Sequence, residues 1–269
     1  MISQPTLISF ISGLAVILVL SLLQKRGAFS KTTAAILAFA LLFVGNFYYF
    51  GWRLPQEQHA EKIAEAVRHL ALQPVWRTVK AQQPDLYKKI EQEYLTTLKE
   101  GGNEAEAQQR LRPDLADLLN QRLAYASDSD VVAYMRISVE EMMVLRQKDP
   151  NLCFKFLFPQ VSGGINTDEL LPESLLSREK DAMDSFLQHA SETVTQQDVS
   201  SANRDLHTTV RTLYRKWGSD LQTLNTPAEP DINRTKLCDM TLDLYQSVLA
   251  LPVKRSAAVL RIILSGNAN

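Results

Sequence analysis

No aspartate or glutamate occurs before Glu57, although the chain of 269 residues holds 30 of them. Ionised side chains are costly at the centre of a membrane helix, so an acid-free N-terminus is compatible with lipid. Basic residues are equally sparse there. Only Lys25, Arg26 and Lys31 precede Arg53, which leaves 26 of the 29 basic residues for the remainder. That remainder is mildly acidic and lacks the basic footprint nucleic acid requires, so nucleic acid is excluded as a partner. Histidine is scarce too. His59, His69, His189 and His207 form no HExxH and no Cys/His cluster, so neither a metal nor a cofactor is expected. Strand signals are rare and no fixed-period repeat is present, which argues against sheet folds and solenoids.

Two long uncharged runs are present. Residues 1–24 carry no charge, and residues 32–52 are again uncharged and mostly apolar. At 1.5 Å per residue, about 20 residues cross a hydrocarbon core of about 30 Å. Both runs have that length, and lipid forces them to be helical. The first run lacks a basic n-region and a small-residue cleavage site, so it reads as a span and not as a cleaved signal. The short linker Gln24–Lys31 implies an antiparallel hairpin, with spans at about 4–23 and 32–52. Ser9 with Gly13, and Ala34 with Ala38, have small-xxx-small spacing that allows close helix approach. Positive charge at Lys25, Arg26 and Lys31 places the linker on the cytoplasmic side. Both termini then lie outside, periplasmic in a cell with two membranes. Tyr48, Tyr49 and Trp52 suit the membrane interface.

The expected fold class is all-α: a two-helix transmembrane hairpin over 1–52, then a multi-helix soluble bundle over 53–269. Pro55 suits the first turn of a helix. Leu86, Ile90, Tyr94 and Leu98 recur every four residues ahead of Gly101-Gly102, and Asn103 can cap the next helix, which Pro113 kinks or breaks. A helix follows through Val131, Met135, Val139, Met142, Met143 and Leu145. Further helices are expected at about 172–194, 197–224, 233–251 and 252–264. Pro159–Thr167 reads as the longest loop.

Chemistry-bearing residues are few. Cys153 and Cys238 are the only cysteines; outside the cytoplasm they could pair across about 85 residues, or remain two buried thiols. Ser177-Arg178-Glu179-Lys180 matches the S-x-x-K of penicillin-binding enzymes, and Ser201-Ala202-Asn203 an S-x-N. No K-T-G follows, and the sheet that fold needs is missing. Glu140 and Glu141 point about 100° apart and are not a facing acid/base pair. Glu140 lies beside the methionine-rich stripe, where partial burial would raise its pKa, but a solvated helix face is the expected setting. No catalytic residue is assigned. Phe154, Phe156 and Phe158, beside Gly163-Gly164, make a possible partner surface or part of the core.

The pattern points to a membrane-anchored, extracytoplasmic helical interaction module, a non-enzymatic component of an envelope complex. Its expected partners are the bilayer and another membrane or envelope protein. A membrane-tethered hydrolase acting on cell wall or another envelope substrate is the alternative. The two differ in what the domain must carry. A hydrolase requires a cleft holding a strongly perturbed carboxylate, serine or histidine; a binding module requires an exposed apolar patch without one.

Overall fold

Apolar periodicity and proline-delimited starts shape nearly every element of the chain. The computed structural model describes residues 4–26, 30–191 and 193–266, and among them every regular element is helical. The chain divides into two units, Met1–Arg68 and His69–Asn269. That division falls inside the helix Leu54–Leu72.

In the first unit, α1 (Gln4–Lys25) and α2 (Lys31–Tyr48) pack against each other. The small residues sit at their contact. Ser9 Oγ donates to Asn46 Oδ1 at 2.5 Å, and a Cβ on Gly13 would lie 3.3 Å from Leu42. These pairs run in opposite directions along the two helices, so the helices are antiparallel. Ala34 is buried and Ala38 half-buried. Elsewhere the apolar side chains point outward: Phe39 and Phe47 are 74% and 73% exposed. Ser30 caps α2 by accepting from the Thr33 N–H at 3.1 Å. Residues 27–29 of the linker and the side chain of Lys31 lie outside the described residues.

Helix α2 does not stop at the aromatic cluster. A π-helical turn, Tyr49–Arg53, carries it into α3 (Leu54–Leu72). Pro55 therefore lies within a continuous helix and does not open a new one. Proline cannot donate to the carbonyl four residues earlier, and the preceding π turn, with the Leu54 N–H reaching Tyr49 O, accommodates that gap. Thr32–Leu72 is one helix long and apolar enough to cross a membrane; the apolar helix Ser9–Lys25 is shorter.

The second unit is a helical bundle. Helices α4 (Pro74–Gln82) and α5 (Pro84–Lys99) each begin at a proline. Asn103 and Glu106 form a reciprocal capping box at the start of α6 (Glu104–Arg122). Pro113 interrupts no turn of α6. At the centre is α7 (Asp128–Lys148), in contact with α8 (Pro150–Leu157), α11 (Glu173–Gln188), α13 (Arg234–Leu249) and α14 (Val253–Leu264). Met143, counted in its apolar stripe, is exposed instead. The segment Pro159–Thr167 is less irregular than expected. It holds one turn, α9 (Pro159–Ser162), and leads into another, α10 (Thr167–Leu170). The single helix anticipated over 197–224 is split. Helix α12 (Val199–Trp217) ends at Gly218, whose φ of 59° breaks the α-ladder before a 3₁₀ stretch, Gly218–Asn225.

Two long-range ties hold the bundle. Cys153 on α8 and Cys238 on α13 are paired at disulfide distance, beside a core of Phe154, Leu213, Leu221, Leu237 and Met240. Arg261 on α14 is 4% exposed. It donates to the carbonyls of Leu123 and Ala126, past the end of α6, and to Asp128 at the start of α7.

Two measurements follow. Arg261→Met strands two carbonyls and a carboxylate, and removal of one member of such a buried network costs about 3–5 kcal/mol. Urea unfolding should show the loss as a lower midpoint at unchanged slope. Reducing the cystine opens a loop of 85 residues. By chain entropy this costs roughly 4–5 kcal/mol, so equal melting with and without reductant would show that the pair is not bonded.

Candidate functional site

A cavity of about 710 Å³ opens within the second unit, bounded by α4, α6, α7, α11 and the segment after α8. Its walls are mainly apolar. Trp76 comes from α4, held by contacts between α4 and α11 in which Thr78 donates to Asp184 and Gln82 to the Leu187 carbonyl. Leu115 and Leu119 come from α6 and Met183 from α11. The remaining wall is Phe156 and Ile165. Gly163 and Gly164, at φ of 83° and 71°, turn the chain there as only glycine does readily.

Polar groups enter at a few points. Arg112 on α6 donates to the buried Thr167 hydroxyl and lies 3.6 Å from Asp168, which ties α6 to α10. Pro113 has no N–H for the Gln109 carbonyl, and both residues line the cavity. Glu141 on α7 and Glu179 on α11 face each other. Glu141 is 1% exposed, and its Oε1 has no hydrogen-bond partner.

Burial governs the state of this pair. Desolvation, followed by the neighbouring Glu179 charge, pushes the Glu141 carboxyl up to about 9. Burial raises Glu179 as well, but Arg112 and the hydrogen bond from Glu141 pull it back. At neutral pH Glu141 is therefore the neutral partner and donates its proton to Glu179, leaving its other oxygen as a bare acceptor. Nearby Tyr134 is also held neutral, chiefly by burial.

The residues singled out from sequence fall in different places. Of the two settings open to Glu140, partial burial beside the methionines or a solvated helix face, the structure shows the solvated one. In the structure Glu140 makes a two-pronged pair with Arg178 at 2.6 and 2.9 Å, which lowers its pKa. The helix rotation puts Glu141 inward instead, in line with Ile137 and Leu145. Phe154 is buried in the core beside the cystine and offers no surface; Phe158 packs half-buried against the same cluster. Phe156, Gly163 and Gly164 line the cavity. Ser177 and Lys180 are both exposed; of that tetrapeptide it is the unremarked Glu179 that is enclosed between α7 and α11. Lys25 and Arg26 are exposed at the end of α1, and Tyr48 and Trp52 stack edge to face at 5.5 Å with Tyr49 half-buried. Among the described residues no group of His, Cys, Asp and Glu could hold a metal ion.

Sequence reasoning missed Trp76, Arg112, Tyr134 and Glu179. For Glu141 a signal was available: its four-residue spacing from Ile137 and Leu145 sets it among apolar neighbours. Nothing local distinguished the other four.

No family model matches this chain, and no curated protein or solved structure is significantly similar to it.

The raised carboxyls have a thermodynamic consequence. Between about pH 4.5 and 9 the folded state keeps a proton on Glu141 that the unfolded chain has released. Stability should therefore fall as pH rises through that window, by at most about 1.4 kcal/mol per unit for one proton. Thermal melts from pH 5 to 9 should show the decline, and Glu141→Gln should flatten it and raise the midpoint at pH 8. A midpoint at pH 8 that Glu141→Gln lowers would contradict this account.

Proposed function

We propose that this protein is a membrane-anchored, extracytoplasmic binding module, in which a two-span hairpin holds a helical domain whose cavity receives part of an envelope partner. In this reading the spans are about 4–23 and 32–52. The linker with Lys25, Arg26 and Lys31 lies on the cytoplasmic side, and the N-terminus and helical domain lie outside. Several features support the anchor. The outward faces of α1 and α2 are apolar, a polar pair and a glycine sit at their contact, and an aromatic cluster ends the second run. The cystine suits an oxidising compartment.

The cavity carries the functional part. Concave, mainly apolar sites of this size with a few converging polar groups suit ligands or inserted side chains. The hydrolase alternative draws on the same carboxyls, since Glu141 is the strongly perturbed group such chemistry would use. The spacing favours binding instead. Glycoside-cleaving carboxyls stand about 5–9.5 Å apart to flank a bond or a water, whereas Glu141 and Glu179 share a hydrogen bond.

Crosslinking pull-down from membranes tests the assignment. The wild-type chain should bring down one stoichiometric partner, and Ala116→Trp, which fills the cavity rim, should lose it. Equal recovery by both would remove the cavity from the interaction. Full-length chain left in the supernatant after membranes are sedimented, or a C-terminal reporter active only in the cytosol, would remove the anchor or its orientation.

A further inference from the structure

We propose that the cavity is a binding site for an organic ammonium group carried on an apolar body, seated between the Glu141–Glu179 carboxyl pair and the aromatic walls of Trp76, Tyr134 and Phe156. The inference rests on the cavity being the seat of a binding partner, and it adds the chemistry of what is bound.

Three observations converge on a donor-rich cation. The first is the bare Oε1 of Glu141, a buried acceptor on the cavity wall with nothing to accept from. A buried polar atom left unpaired costs free energy that a ligand N–H would recover. The second is Glu179, whose carboxyl faces that of Glu141 and lines the same cavity. The third is the ring content of the walls. Aromatic faces attract ammonium groups, most strongly where water is excluded.

Charge selects the cation over a neutral donor. Facing Glu141 are Glu179 from α11 and Tyr134 and Glu140 from its own helix. Arg112 of α6 is engaged with Thr167 and Asp168, and Glu140 with Arg178. Lys180 of α11 is exposed and Lys155 of α8 half-buried. The charged groups of α13 and α14 meet α7 at other turns, Asp239 at Arg146 and Arg261 at Asp128. The interior pair therefore keeps one negative charge while sharing one proton, and Arg112, held at Thr167 and Asp168, offsets part of that charge. An ammonium at Oε1 lets both carboxyls ionise, so its arrival expels that proton. An alcohol satisfies the acceptor and leaves the proton in place. Two sources share this chemistry: a free amine with an apolar body, and a lysine side chain set among apolar residues of the partner.

Calorimetric titration of the full chain in detergent tests the assignment, with phenethylamine, 2-phenylethanol and the peptide acetyl-Phe-Lys-Phe-amide as probes. Phenethylamine should bind at least tenfold more tightly than 2-phenylethanol. Its affinity should rise between pH 6 and 8, by up to tenfold per unit, with proton release seen as a binding heat that depends on the buffer. Glu141→Gln should lower the affinity at least tenfold and abolish the release. Tighter binding of the peptide assigns the site to a partner lysine, and binding of the amine alone to a free amine. The proposal is overturned if no amine or peptide binds, if amine and alcohol bind equally, or if no proton leaves. Equal binding leaves the cavity as a binding site and ends only the ammonium assignment. The comparison of amine with alcohol uses wild-type protein, so it decides even if Glu141→Gln does not fold.

Discussion

The burial of α7 is the constraint on which the rest of the bundle depends. Nine of its residues, from Val131 to Leu145, are buried, and helices pack on it from several directions. Where its polar side chains face neighbouring helices they find partners there, while Arg136 and Gln147 stay exposed. Asp128 finds Arg261 on α14, Glu140 finds Arg178 on α11, and Arg146 finds Asp239 on α13. These pairs set the rotation and register of the surrounding helices around one axis.

Glu141 is the exception, and the exception makes the site. It meets a second carboxyl, Glu179, with Arg112 and Tyr134 nearby, and such a buried carboxyl pair is satisfied by keeping a proton. That solution lowers stability at high pH and leaves one oxygen unpaired on a cavity wall. Buried polar groups of this kind are retained in folds where ordinary packing would remove them, and a cavity beside one gives it something to act upon. Energetic cost and binding potential thus lie in the same two side chains.

The first unit inverts the arrangement. Its polar atoms, Ser9 and Asn46, meet inside the helix pair while phenylalanines face out. Such a surface is unfavourable in water and favourable in lipid, and the helix Thr32–Leu72 has the length and hydropathy to cross it. The continuity of that helix through the π turn at Tyr49–Arg53 comes from the chain accommodating Pro55 without breaking.

Much of this was legible in the residues alone. The uncharged runs, the small-xxx-small spacing and the cap at Asn103 are local properties. They depend on neighbours three or four positions away, and the sequence by itself determined them. Pro55 and Pro113 show where local signals mislead, because a proline is tolerated when the surrounding helix is long or well packed. Only the tertiary structure decided which cysteine alternative holds, since that depends on two helices meeting 85 residues apart. It alone decided that Glu141 and not Glu140 faces inward, and that Trp76, Arg112 and Glu179 line the same cavity. One hundred degrees of helix rotation separates an exposed carboxylate from a buried acid. That rotation is set by what packs against the helix, not by the residue itself.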